Sequence, residues 1–210
     1  MGERGLFKHI IWDFDGTLFD TYPVMATAFK MTLEKEGYVE SVDDIVKHMR
    51  ASMSSAMQYY EEKYPLSETF MDEFDLLRLE MENQICKPYP CVDEICRFIH
   101  ASGRHNYLYT HRGDSAIALL TRHGLQDCFV DFITSKHGFE HKPSPDAVNY
   151  LVEKHNMTRA EALMIGDRDM DVLSAKNAGI HACYFTEGSE DSSIADFTIN
   201  TFQQLYSILS

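Results

Sequence analysis

The stretch Ile10-Ile11-Trp12-Asp13-Phe14-Asp15-Gly16-Thr17-Leu18 decides how this chain is read. An apolar run enters two carboxylates spaced two residues apart, and residues two apart on a strand share a face. Asp13 and Asp15 are therefore expected to project together at the strand's end, where Gly16 lets the chain turn. Two acids side by side are costly unless a cation lies between them or they share a proton. An Asp turn that caps the strand would account for one acid and the glycine, but not for both acids. Chemistry is the better reason for the pair.

Outward from this stretch, β-rich runs alternate with amphipathic helical stretches from about residue 88 onward, the pattern of a parallel sheet wrapped by helices. Strands are expected at 8–13, 105–110, 129–133, 161–166 and 180–185, with a short edge strand at 196–199. Helices are expected at 92–102, ending at Gly103, and at 114–123, ending at Gly124. Two more are expected at 145–155, opened by Ser144-Pro145 as N-cap and first residue, and at 169–178, closing on Gly179. The fold class is α/β, a doubly wound parallel sheet. Residues 20–86 hold no convincing strand and read as successive helices, with turns at Gly37-Tyr38, Ser52 and Tyr64-Pro65. Met49, Met53 and Met57 recur there at i, i+4, i+8 on one helical face, best read as that region's own core.

With 210 residues, 44% of them hydrophobic, the chain can bury a core and form one domain, or one with a sizeable insertion. No apolar run approaches the roughly 20 residues of a membrane span, and the opening Met1-Gly2-Glu3-Arg4-Gly5 lacks a secretory apolar segment. The expectation is a cytoplasmic protein with no membrane partner. Cys86, Cys91, Cys96, Cys128 and Cys183 contain no C-x-x-C pair, so neither a disulfide framework nor a zinc knuckle is suggested. A net charge of -14 argues against nucleic-acid or anionic-lipid partners.

Three further segments fall at strand ends on what would be the same edge of the sheet, the edge where such folds bind ligands. In Tyr109-Thr110-His111-Arg112 a hydroxyl precedes a helix N-terminus, where free N–H groups attract anions, although a Thr there is often a simple cap. In His141-Lys142-Pro143-Ser144-Pro145-Asp146 a lysine sits at a helix start, where the dipole disfavours a cation unless an anion is near. In Ile165-Gly166-Asp167-Arg168-Asp169-Met170-Asp171 three acids follow a strand, a set that suits a hard cation such as Mg²⁺, although first-turn acids are favourable without one. His137 and His141 lie four apart, but the intervening Gly138 and the following Lys-Pro read as a loop with two solvated histidines.

The four segments together resemble the haloacid dehalogenase-like hydrolase superfamily, and the resemblance covers essentially the whole chain. The helical insertion resembles the cap of subfamily IA, which contains phosphoglycolate phosphatase and β-phosphoglucomutase. It implies a core domain of residues 1–19 and 88–210 with a helical cap domain of residues 20–87. Pro88-Tyr89-Pro90-Cys91-Val92 resembles the return from cap to core, with Cys91 where a glycine is usual. The two crossings, 18–21 and 87–90, would then act as hinges.

The resemblance also implies a Mg²⁺-dependent phosphatase acting on a small-molecule phosphate ester, as a monomer or weak homodimer. Asp13 would be the nucleophile that forms an aspartyl-phosphate, and Asp15 the general acid and then base. Asp13, the Asp15 carbonyl and Asp167 would hold the metal, with Asp171 nearby. Thr110 and Lys142, with backbone amides of Phe14, Asp15 and His111, would bind the phosphoryl oxygens. Asp169 has no role in this scheme, and Arg50 is the candidate from the insertion to read the substrate, with Lys47 and His48 as other choices. A carbon–halogen dehalogenase would need neither Asp15 nor Asp167. A phosphomutase shares the same core chemistry, and hydrolysis is preferred as the commoner outcome in the family.

Overall fold

The structure, a computed structural model, describes residues 7–188, 192 and 194–210, so the opening pentapeptide lies outside the described residues. The chain divides into two compact units, residues 1–18 with 88–210, and residues 19–87.

The first unit is built on six parallel strands, β1 (His9–Trp12), β2 (His105–Tyr109), β3 (Phe129–Ile133), β4 (Ala162–Gly166), β5 (His181–Phe185) and β6 (Phe197–Ile199). Their spatial order is β3-β2-β1-β4-β5-β6, which makes β1 the strand from which the order runs outward in both directions. A strand covered on both faces reads as a continuous apolar run. Ile10, Ile11 and Trp12 are accordingly fully buried. Ile11 packs with Tyr107, Met164 and Val148 in the cluster on one face, and Trp12 meets Phe202 at 6.1 Å. Asn106 pins the sheet from within. Its side-chain oxygen accepts from Trp12 Nε1 at 2.9 Å, and its amide donates to the carbonyls of Cys96 and Cys128 at 2.9 and 3.0 Å.

Tyr89 N donates to Leu18 O at 3.0 Å, so the chain re-enters this unit where it left it. Cys91 then adopts the left-handed conformation (φ 71°) that a glycine would take without strain, immediately before the helix Val92–Ala101. The helix expected to begin with Pro145 begins one residue later, at Asp146, with Pro145 as the capping residue. The Ser144 hydroxyl accepts from Asp146 N at 3.3 Å.

The second unit holds four helices, α1 (Tyr22–Lys35), α2 (Val42–Ala51), α3 (Met53–Lys63) and α4 (Phe70–Ile85). Phe29 lies at its centre, with ring centroids 5.0–5.3 Å from Tyr60, Phe70 and Phe74. Met49 is buried in this core, and Met53 and Met57 pack against it. They do not share one helical face, because Met49 lies in the last turn of α2 while the other two belong to α3. Ser52 is the reason: it is extended, and its hydroxyl accepts from Ser55 N at 2.9 Å, which starts a new helix.

The first unit also carries α5 (Val92–Ala101), α6 (Ser115–Arg122), α7 (Asp146–Lys154), α8 (Asp169–Asn177) and α9 (Leu205–Ile208). Among the described residues, no helix is long and apolar enough to cross a membrane.

Candidate active site

The neighbours β2, β1 and β4 end side by side, and each delivers one group of the site. In register, Trp12 faces Leu108 on one side and Ile165 on the other. The chain therefore emerges as Asp13 beside the ends of β2 and β4, which lead into Thr110 and Asp167. β1 ends at Trp12, but Asp13 N still donates to Ile165 O at 2.9 Å and so stays on the β4 ladder. Beyond it the chain turns, with Gly16 at φ 75°, and the two-residue alternation no longer applies. Asp13 and Asp15 consequently do not share one partner: Lys142 holds Asp13, and Arg112 holds Asp15.

Lys142 is buried, donates to two acceptors and forms an ion pair with a second carboxylate. Its Nζ lies 2.5 Å from Asp13 Oδ1, 2.8 Å from Asp171 Oδ1 and 3.0 Å from the Tyr109 carbonyl. Burial penalises this ammonium, but Asp13 and Asp171 more than offset that, and its pKa ends above the ordinary lysine value. Burial, then the neighbouring Asp171, push the Asp13 carboxyl up to about 6 against the pull of Lys142. The lysine loop is tethered to α8 at two successive carbonyls: Ser174 Oγ donates to Ser144 O (2.8 Å) and Asn177 Nδ2 to Pro143 O (3.0 Å).

Asp13, Asp167 and Asp171 each offer a carboxylate oxygen within 4.8 Å of the other two, all three buried. This carboxylate cluster is of the kind that holds a divalent metal in haloacid dehalogenase-like enzymes. Asp13 Oδ2 has no hydrogen-bond partner among the described residues. Lys142 and Arg168, whose Nε lies 3.7 Å from Asp171 Oδ2, are two cations beside three carboxylates, and all-oxygen donors suit a hard cation. The residues present thus fit a divalent metal ion. The Asp15 carboxylate is not part of this cluster.

The other expected residues are placed as follows. Thr110 is buried, and its hydroxyl accepts from Arg112 N at 3.1 Å, which shapes the loop. His111 accepts from Lys142 N through Nε2 at 3.1 Å, and its ring centroid lies 4.3 Å from that of His141, the planes tilted by 37°. Burial and then the Lys142 charge depress its pKa to about 3, so the ring is neutral. Phe14 is buried under the Arg112 guanidinium, 5.4 Å from its ring centroid. Asp171 also caps α8, its Oδ2 accepting from Arg168 N at 3.1 Å. Asp169 accepts from Ser192 Oγ at 3.2 Å. His137 caps a turn through Thr134 N at 3.2 Å, away from His141 in its bonding. Arg50 belongs to the second unit, where its guanidinium lies 4.7 Å over the Tyr22 ring, and His48 there stacks on Tyr59 at 3.9 Å.

Sequence reasoning passed over three residues. Thr17 is fully buried, and its hydroxyl donates to Asp167 Oδ1 at 3.3 Å. Its place two residues after Asp15 was the available signal. Gly166 lets Asp171 approach: a Cβ there would meet the Asp171 Cβ at 2.3 Å. Arg112 was quoted within its segment without a role.

The haloacid dehalogenase-like hydrolase family matches residues 10–185. The phosphoglycolate phosphatase of Vibrio parahaemolyticus serotype O3:K6 is 29% identical, over 97% of this chain and 96% of that protein. A HAD-superfamily hydrolase, subfamily IA, variant 1, from Geobacter sulfurreducens PCA superposes with a TM-score of 0.78 at 18% identity, covering 100% of both chains. A hydrolase from Streptococcus pneumoniae TIGR4 gives 0.69 at 25% identity, over 97% of this chain and 98% of that one. The fold, the carboxylate cluster at its strand ends and the span of the family match agree: this chain belongs to the haloacid dehalogenase-like hydrolases and is an enzyme of the phosphatase kind.

Proposed function

We propose that the protein hydrolyses a small-molecule phosphomonoester with Mg²⁺ as cofactor, through an aspartyl-phosphate on Asp13. The observation that carries this reading is the buried Asp13 carboxylate, with Oδ1 held by Lys142 and Oδ2 left without a hydrogen-bond partner among the described residues. Lys142 fixes the position of the Asp13 carboxylate, from which one oxygen attacks phosphorus in line. Asp15 protonates the departing ester oxygen as the P–O bond breaks. It then takes a proton from the water that attacks the aspartyl-phosphate, and returns Asp13 with release of inorganic phosphate. Thr110, Lys142 and the amides of Phe14, Asp15 and His111 bind the phosphoryl oxygens, where charge is spread in the transition state. Asp13, Asp167 and the Asp15 carbonyl would hold Mg²⁺, with Asp171 beside them, and the ion when bound neutralises phosphoryl charge against the acids. Arg50 remains our candidate for substrate reading from the helical unit. Five free cysteines suit a reducing, cytoplasmic setting.

Phosphoglycolate heads the esters to be tried, because the Vibrio parahaemolyticus relative bears the name of its phosphatase. The test is phosphate release from phosphoglycolate, sugar phosphates and nucleotides, with Mg²⁺ and with EDTA, beside an Asp13→Asn control. Release that needs Mg²⁺ and is lost in the control is expected. Release unaffected by either change would refute the mechanism.

A further inference from the structure

Arg112 takes no part in the scheme above, yet it is built into the site. Its side chain is 5% exposed, and two of its nitrogens reach the Asp15 carboxylate: Nη2 lies 2.8 Å from Oδ1, and Nε lies 3.3 Å from Oδ2. A two-point bond fixes both the position and the plane of a carboxylate, which a single ammonium does not. The arginine is itself held. Its backbone N donates to Thr110 Oγ1 at 3.1 Å, its carbonyl accepts from Ser135 N at 3.0 Å, and its guanidinium covers the Phe14 ring.

The two acids of the opening stretch are thus held in different ways. Asp13, which must approach phosphorus, is met by the point charge of Lys142 on one oxygen. Asp15, which must be aimed at an oxygen of the ester, is gripped by a planar fork. We propose that Arg112 is a positioning residue that sets the orientation from which Asp15 exchanges a proton with the leaving oxygen. This inference rests on the role proposed for Asp15. Proton transfer needs hydrogen-bond reach and alignment, so a carboxylate free to rotate would lose efficiency while the nucleophile stays intact. The Asp15 side chain keeps 22% exposure, which leaves it a side to offer to an arriving ester.

The test uses the full chain with Mg²⁺ and the variants Arg112→Gln and Arg112→Lys, the second of which keeps the charge and loses the fork. Two esters are compared: glycerol phosphate, whose alkoxide must be protonated to leave, and p-nitrophenyl phosphate, whose phenolate leaves unaided. In both variants kcat/KM for glycerol phosphate is expected to fall on the order of 100-fold, while p-nitrophenyl phosphate stays within about threefold. Inhibition by inorganic phosphate is expected to stay unchanged. Equal losses on both esters with weaker phosphate inhibition would assign Arg112 to phosphoryl binding and overturn the proposal. So would full glycerol phosphate activity in Arg112→Lys. Crystal structures of the variants give a readout free of turnover: the Asp15 carboxylate should leave its native rotamer. If it keeps that rotamer without the fork, the proposal fails whatever the enzyme hydrolyses. A native protein inactive on every ester would instead contradict the phosphatase reading.

Discussion

Lys142 shows what the residue scale decides. The helix dipole opposes a cation at that position, and the structure supplies the reason it is there: two buried carboxylates meet its ammonium. Its removal leaves Asp13 and Asp171 facing each other in a dry site. Lys142→Met should therefore cost about 3–5 kcal/mol in urea unfolding, with a good part regained in Lys142→Met/Asp171→Asn. A single variant as stable as the native chain would show that the acids are relieved by something else. Asp13, Thr110, Lys142, Asp167 and Asp171 could be placed at one sheet edge from sequence because each stands at a strand end or helix start. The Arg112–Asp15 fork could not, since its partners are 97 residues apart and no periodicity links them. Gly166 was quoted without this role because the need for it comes from Asp171, a residue of the next helix.

At the scale of elements, the strands were legible because buried parallel strands leave short β-branched and aromatic runs between helix stops. The breaks inside the helical unit were less so. Met49, Met53 and Met57 keep helical spacing across Ser52, so the period alone does not reveal that one helix ends and another begins there. Cys91 is the converse case, a place where the residue type conceals a backbone requirement. Its left-handed conformation costs about 1–3 kcal/mol for a residue with a Cβ. Glycine removes that strain but frees the unfolded chain by about 0.4–1 kcal/mol. Cys91→Gly should thus stabilise the protein by up to about 2.6 kcal/mol in denaturant titration, and a loss of stability would mean that the thiol contributes more by packing than the turn costs.

The whole molecule carries a strong acid balance, a net charge of -14, yet its site gathers cations locally, and its pH response follows from buried groups. His111 is neutral when folded, with a pKa near 3 against 6.5 unfolded. Below pH 6.5 the unfolded chain binds a proton there that the folded one refuses, so stability falls as pH drops toward 3. His9 acts in the same direction, its pKa lowered by burial and then by His105. Asp13, with its raised pKa, acts in the opposite direction between about 4 and 6. His111→Gln keeps an acceptor for Lys142 N and removes the ring's titration while leaving Asp13 in place. Its stability relative to the native chain should rise by up to about 1.4 kcal/mol per pH unit below 6.5, measured by urea unfolding at pH 7, 6 and 5. A difference constant with pH would show that the ring takes up its proton as readily in the folded state as in the unfolded one.

The claim on which this account turns is that Asp13 carries the phosphoryl group. Rapid acid quench of a single turnover with a ³²P-labelled ester, followed by peptide mapping, tests it most directly. The expected result is hydroxylamine-sensitive label on the peptide holding Asp13, rising and decaying with turnover and absent in Asp13→Asn. Brisk phosphate release with no label on that peptide at any quench time would contradict it.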